Sequence, residues 1–307
     1  MHQRDCLLSM ILLVAAVSTS ALGQTLAPPV GSVDSGARSA VSTPDFSGIW
    51  AHLTWPDFEP PLEGPGPVTN RSRLNGVSNS YELIGDYNNP ILKPHAAEVV
   101  KKRGEISKTG MPYPTPSNQC WPGGVPFVLW NIGMLMIQQP DQITILYSND
   151  HEVRHVRLNQ PHPRPLTPSW YGDSVGHYEG DTLVIDTVGV RTDRPYAMID
   201  LFGTPYTKSL HIVERYRLRE YDDVKDAIER NIKENWLFAG DVFSRHRGKF
   251  LQLHLTIEDD GVFTTPWTAT LTYVPVGDQV PEEVCAENVR WFPGTEAKVP
   301  TSDKPDF

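Results

Sequence analysis

Positive charge is in short supply in this sequence. Its 27 lysines and arginines face 37 aspartates and glutamates, giving a net charge of −10, and no nucleic-acid footprint is expected of so acidic a chain. Cysteine is scarcer still: Cys6, Cys120 and Cys285 are the only three, too few for a disulfide-built scaffold. Long apolar runs are limited to one. Leu7 to Val17 follows Arg4 and precedes the small residues Ala21 and Gly23. That run is too short for a comfortable membrane span and predicts a signal peptide cleaved before Gln24. Cys6, preceded by Gln3-Arg4-Asp5, is not in a lipoprotein context. No other stretch could span a bilayer, so no integral membrane span is expected. There is no Gly-rich phosphate loop. Gly172-Asp173-Ser174-Val175-Gly176 has G-x-S-x-G spacing but lacks the strand-turn-helix context of a nucleophile elbow.

What is abundant is punctuation. The 28 prolines and 23 glycines imply many turns and long irregular connections. The expected organisation is a signal peptide over 1–23, a disordered linker over 24–43, one β-rich domain over 44–292 and a flexible tail over 293–307. Export and the two cysteines left after cleavage point to one disulfide, Cys120 with Cys285. The predicted localisation is periplasmic or secreted.

A first strand is expected at Asp45 to Trp50, followed by a long Pro- and Gly-rich loop over 55–80 and a short helix from Pro94 to Ile106. Beyond an apolar segment from Phe127 to Gln138, alternation marks strands. Ile143, Ile145 and Tyr147 share one face, as do Leu251, Leu253, Leu255 and Ile257, and Trp267, Ala269, Leu271 and Tyr273. Further strands are read at 152–158, 182–188 and 210–218. Ser169 to Val190 reads as a hairpin turning at Glu179-Gly180-Asp181. So many short strands predict an all-β fold, an antiparallel barrel or a sandwich. One amphipathic helix interrupts them, spanning 222–239, with Asp222 or Asp223 as cap and Gly240 as stop. It is either a lid over the barrel mouth or a flanking helix.

The hairpin gathers Asp173, Ser174, His177, Glu179, Asp181 and Asp186. His162 sits between two prolines, and His211 opens a strand on which Arg215 shares its face. Histidine with carboxylate is the usual pairing for acid/base work. The proton-transfer candidates are therefore His162, Asp173, His177 and His211. Arg154 and Arg215 would orient an anionic group, Ser174 would line the site, and Trp170 and Tyr178 would supply apolar wall. His151-Glu152-Val153-Arg154-His155 matches H-E-x-x-H, a zinc pattern on a helix. Its flanks read as strands, where the two histidines would stand about 13 Å apart. No metal and no cofactor are expected.

Several motifs recur together: Asp45-Phe46-Ser47-Gly48-Ile49-Trp50, Pro161-His162-Pro163, Ser174-Val175-Gly176-His177-Tyr178-Glu179-Gly180-Asp181-Thr182-Leu183-Val184, His211 with Glu214-Arg215, Pro266-Trp267, and Val284-Cys285-Ala286-Glu287-Asn288. In these, residues 44 to 290 resemble a large family of exported bacterial β-rich proteins. The resemblance implies export and a single β-rich domain, and carries no assigned reaction. The pattern lacks histidines at 151 and 155 and lacks the insertion from Tyr221 to Gly248. Gly48-Ile49-Trp50 is also similar to the G-x-W of lipocalin-like barrels, which favours barrel over sandwich. The first function expected is thus an exported barrel that binds a small, partly apolar molecule and performs acid/base chemistry on it as a lyase, isomerase or hydrolase. The alternatives are a carrier without turnover, and a zinc hydrolase using His151, Glu152 and His155.

Overall fold

The structure is a computed structural model. It describes residues 43–52, 58–110, 113–130, 133–148, 150, 153–234 and 245–277. Eleven strands and two α-helices are seen among them, and nine of the strands close into a barrel. In chain order these nine are β1 (Gly48–Ala51), β4 (Met134–Gln138), β5 (Gln142–Tyr147), β6 (Val153–Leu158), β7 (Asp173–Glu179), β8 (Thr182–Val188), β9 (His211–Arg219), β10 (Phe250–Glu258) and β11 (Trp267–Pro275). The remaining strands, β2 (Arg73–Leu74) and β3 (Val77–Ser78), form a small hairpin in the Pro-rich region. β1 closes the ring by pairing with β4 on one side and β11 on the other, so the nine-stranded sheet itself has no open edge.

The barrel forms because alternate residues are apolar and find each other inside. Leu251, Leu253, Leu255 and Ile257 are buried on β10, opposite Tyr273, Leu271, Ala269 and Trp267 on β11. Ile143, Ile145 and Tyr147 do the same on β5. The interior is filled by side chains, with Trp267, Arg154, Tyr216, Tyr273 and Met136 among the largest that are fully buried. Barrels of about this strand number are just wide enough for side chains to fill them.

Nine strands cannot alternate in direction around a closed ring, so one neighbouring pair must run parallel. That pair is β6 and β7, joined only at Val156↔Ser174, Arg157↔Val175 and Leu158↔Gly176. This departs from the purely antiparallel expectation. Parallel neighbours cannot be joined by a tight turn, so the chain must travel back along the barrel before β7 begins. Residues 159–172 make that return, and they carry Pro161-His162-Pro163. Gly172 ends it at a φ of 71°, where a Cβ would stand 2.6 Å from the Val188 carbonyl oxygen. Only glycine fits there. The β7–β8 hairpin turns at Gly180-Asp181, with Gly180 at a φ of 61°, the positive value that the first residue of a type II′ turn requires.

The apolar segment from Phe127 to Gln138 is not one strand. It divides into a 3₁₀ turn, Phe127–Trp130, and β4. Helix α1 (Pro94–Ser107) buries Ala96, Val100 and Gly104. Helix α2 (Tyr221–Lys233) buries Val224, Ala227, Ile228 and Asn231. Val224 and Ile228 pack with Phe250 and Val274 on the outside of β10 and β11, so α2 flanks the barrel. Its N-cap is Glu220, without a side-chain cap bond, and Asp222 and Asp223 lie inside the first turn. There they oppose the helix dipole, as Arg230 and Lys233 do in the last turn. Glu59 rejoins the barrel beyond β1, exchanging two backbone hydrogen bonds with Thr270 of β11. Residues 235–239 and Gly240 lie outside the described residues.

Candidate functional site

The residues expected to share one pocket are split between the two faces of the barrel wall, because neighbours in a strand point to opposite sides. Inward go Arg154 and Ser174. Outward go Asp173, His177, His211 and Arg215. His162 lies on the return loop.

Inside, Arg154 is the centre of a closed polar cluster. Its Nη2 and Nη1 donate to Glu214 Oε1 and Oε2 at 2.5 and 3.1 Å. Nε donates to Ser174 Oγ at 3.1 Å, Nη2 to Thr187 Oγ1 at 2.9 Å and Nη1 to Tyr147 OH at 3.3 Å. All five N–H groups of the guanidinium are used. Tyr216 OH donates to Glu214 Oε2 at 2.7 Å. Burial works against the charge on Arg154, but the carboxylate of Glu214 outweighs it and holds the pKa well above its usual value. Ser174 is therefore a partner of Arg154 within a β-strand and stands on no nucleophile elbow. Glu214 was legible as inward-facing, since Ile212 and Tyr216 flank it at strand period on the buried side.

Outside, a chain of ionisable groups crosses five strands. Arg157 of β6 holds Asp173 of β7 with two bonds, 2.7 and 3.0 Å. Asp173 Oδ1 meets His162 Nδ1 at 2.7 Å, and His162 Nε2 meets Asp186 Oδ1 of β8 at 2.9 Å. The other oxygen of Asp186 meets His211 Nε2 of β9 at 3.0 Å, and His211 Nδ1 reaches Glu258 of β10 at 3.3 Å. The hydrogen bond from Asp186, assisted by Glu258, raises the pKa of His211 to about 9 against the cost of partial burial. Asp186 is held below the usual carboxylate range chiefly by its bond to His211, with His162 adding to it. Asp173 is likewise lowered: burial opposes the charge, but the bonds from Arg157 and His162 prevail.

The other expected residues stand apart. His177 pairs with Glu179 at 3.0 Å, and Arg215 donates to the same carboxylate at 2.5 Å, near the β7–β8 turn. Trp170 stacks on Trp121 at 5.8 Å, with Arg191 and Arg194 each 5.2 Å from its ring. Tyr178 stacks on Phe46 at 6.5 Å. For the zinc pattern, His155 lies in strand β6 opposite Thr144, so the helix that H-E-x-x-H needs is not formed there. His151 and Glu152 lie outside the described residues, and among those described no cluster could hold a metal ion.

A cleft of about 570 Å³ opens on the barrel flank, between α2 and the Pro-rich region, and neither polar cluster lines it. Glu59, Pro60, Leu62, Phe202, Arg230 and Asn231 are among its walls. Glu59 Oε1 accepts from Arg230 Nε and Nη2 at 3.1 and 2.8 Å. Burial raises the pKa of Glu59, while Arg230 and Asn231 pull it down less strongly. Sequence reasoning missed this site. Its walls come from segments far apart in the chain, and residues 55–80 showed only loop composition. Compared with known proteins, the chain matches no family model, no curated protein and no solved structure.

Proposed function

We propose that the protein is a small-molecule-binding barrel whose ligand occupies the flank cleft, with the barrel as the frame that holds its walls. The observation that carries this reading is the cleft itself. At about 570 Å³ it falls within the size range of small-molecule sites and mixes apolar walls with a few polar groups, as such sites do. The barrel interior, by contrast, is filled.

The acid/base reading for His162, Asp173, His177 and His211 is the weaker one. Both ring nitrogens of His162 and of His211 are bonded to carboxylates. A substrate could exchange a proton with either imidazole only after one of those bonds broke. His177 stands apart at the turn. A clamp that fixes the return loop accounts for the same bonds without turnover.

Export belongs to the proposal, on the strength of the N-terminal sequence. So do a Cys120–Cys285 disulfide, on the strength of export and cysteine count, and the family resemblance, on the strength of its motifs. Cys285 lies outside the described residues. Among the described residues no helix is long and apolar enough to cross a membrane.

Native mass spectrometry of the protein purified from an exporting host, followed by hydrogen exchange of the loaded and stripped forms, tests the reading. The expected result is an organic mass that leaves on denaturation and that protects residues 59–62 and 228–234. A bare protein mass, or protection confined to the strands around His162 and His211, would count against it.

A further inference from the structure

Within the cleft, one atom is left without a partner. Glu59 is 7 % exposed, and its Oε2 is buried with no hydrogen bond of good geometry among the described residues, Asn231 being the other polar side chain that acts on the carboxylate. An unpaired buried carboxylate oxygen is costly, and a hydrogen-bond donor brought by a ligand would remove that cost. Beside it, Arg230 commits Nε and Nη2 to Glu59 Oε1. Its Nη1 makes no hydrogen bond among the described residues, so both N–H donors of Nη1 remain, beside the second N–H of Nη2, on a half-exposed side chain. The cleft thus offers one acceptor and guanidinium donors side by side. Pro60, Pro61, Leu62 and Phe202 supply apolar surface next to them, and Leu62 is 85 % exposed at the rim.

Charge narrows the ligand further. Arg73, Arg230 and Lys233 line the cleft against Glu59 and Glu234, three positive groups to two negative. A cationic amine would meet the excess of positive charge. An anion would be set against the buried carboxylate of Glu59. A hydroxyl suits both neighbours, because it donates to a carboxylate and accepts from a guanidinium.

We infer that the cleft takes a neutral, hydroxylated small molecule with one apolar face, a glycoside or similar polyol, with one hydroxyl donating to Glu59 Oε2 and a neighbouring one accepting from Arg230. This rests on the reading of the cleft as the ligand site.

The test is a ligand-detected NMR titration of the full mature chain with four probes: phenyl β-D-glucoside, phenethylamine, phenylacetate and benzyl methyl ether. Saturable binding of the glucoside is expected, with the amine, the acid and the ether at least tenfold weaker. Glu59→Gln replaces the acceptor by a group that can present N–H, and should weaken the glucoside at least tenfold. Leu62→Ser, at an exposed position where the fold is not at risk, should weaken it several-fold and guards against loss of fold in the first variant. Equal binding of the ether, glucoside affinity indifferent to Glu59→Gln in a folded variant, or no glucoside binding at all would overturn the inference. In any of these cases a bound organic mass that still protects residues 59–62 would leave the cleft standing as the ligand site. A mass located elsewhere would remove both readings.

Discussion

Arg154 and Glu214, 60 residues apart in the chain, meet as a bidentate ion pair inside the barrel, with side chains 1 % and 0 % exposed. Through Ser174 and Thr187 the pair ties β6, β7, β8 and β9 together from within. On the outer face, Arg157, Asp173, Asp186 and His211 bind the same four strands. The parallel β6–β7 seam is paired at only three positions, and it is reinforced on both faces. Three of the proton-transfer candidates, His162, Asp173 and His211, thus also tie together the strands around the seam that an odd strand number imposes.

Removing one partner of the inner pair should be severe. Arg154→Met strands Glu214 in a sealed interior, and a loss of about 3–5 kcal/mol in urea unfolding is expected. The double variant Arg154→Met/Glu214→Leu should recover part of that loss, because no uncompensated charge remains. A double variant that loses as much as the two single variants summed would show no coupling between Arg154 and Glu214 and would contradict this account.

The outer band predicts a pH profile. His211 has its folded pKa raised from 6.5 to about 9. Its contribution to stability is therefore complete below about 6.5 and disappears as pH rises through about 9. Asp173 and Asp186 have folded pKa values below the ordinary 3.8. Their contribution is complete above about 4 and disappears as pH falls through those lowered values. In thermal melts, the gap between the wild type and His211→Gln should be widest near pH 6 and nearly closed at pH 10. A gap that does not change with pH contradicts the band.

At the seam, Arg157→Ala removes two bonds from a partly exposed guanidinium. The cost should be about 0.5–1 kcal/mol, in the range of exposed pairs. Faster hydrogen exchange should be confined to β6, the return loop and β7. Uniform acceleration over the whole barrel would mean that the seam is not a local weak point.

The strands were the most legible part of the chain. Alternation placed Gln142–Tyr147, and the hairpin turn with the apolar run after it placed Thr182–Val188, at their observed bounds. The pattern did not separate Arg154, which is buried inside, from Arg215, which faces out, and both were expected at one site. Alternation carries no strand direction, so the parallel pair did not show. Nor does it give depth: Asp173 and Ser174 are adjacent in sequence, yet belong to clusters on opposite sides of the wall. The cleft was invisible because Glu59, Phe202 and Arg230 come together only through packing, and none lies in a periodic pattern that points toward the others.

Crystallographic screening of small organic fragments, both hydroxylated and apolar, tests the central claim most directly. The account predicts that hydroxylated fragments gather in the flank cleft, against Glu59 and Arg230. Fragments gathering at His162 and His211 instead, or inside the barrel, would contradict it.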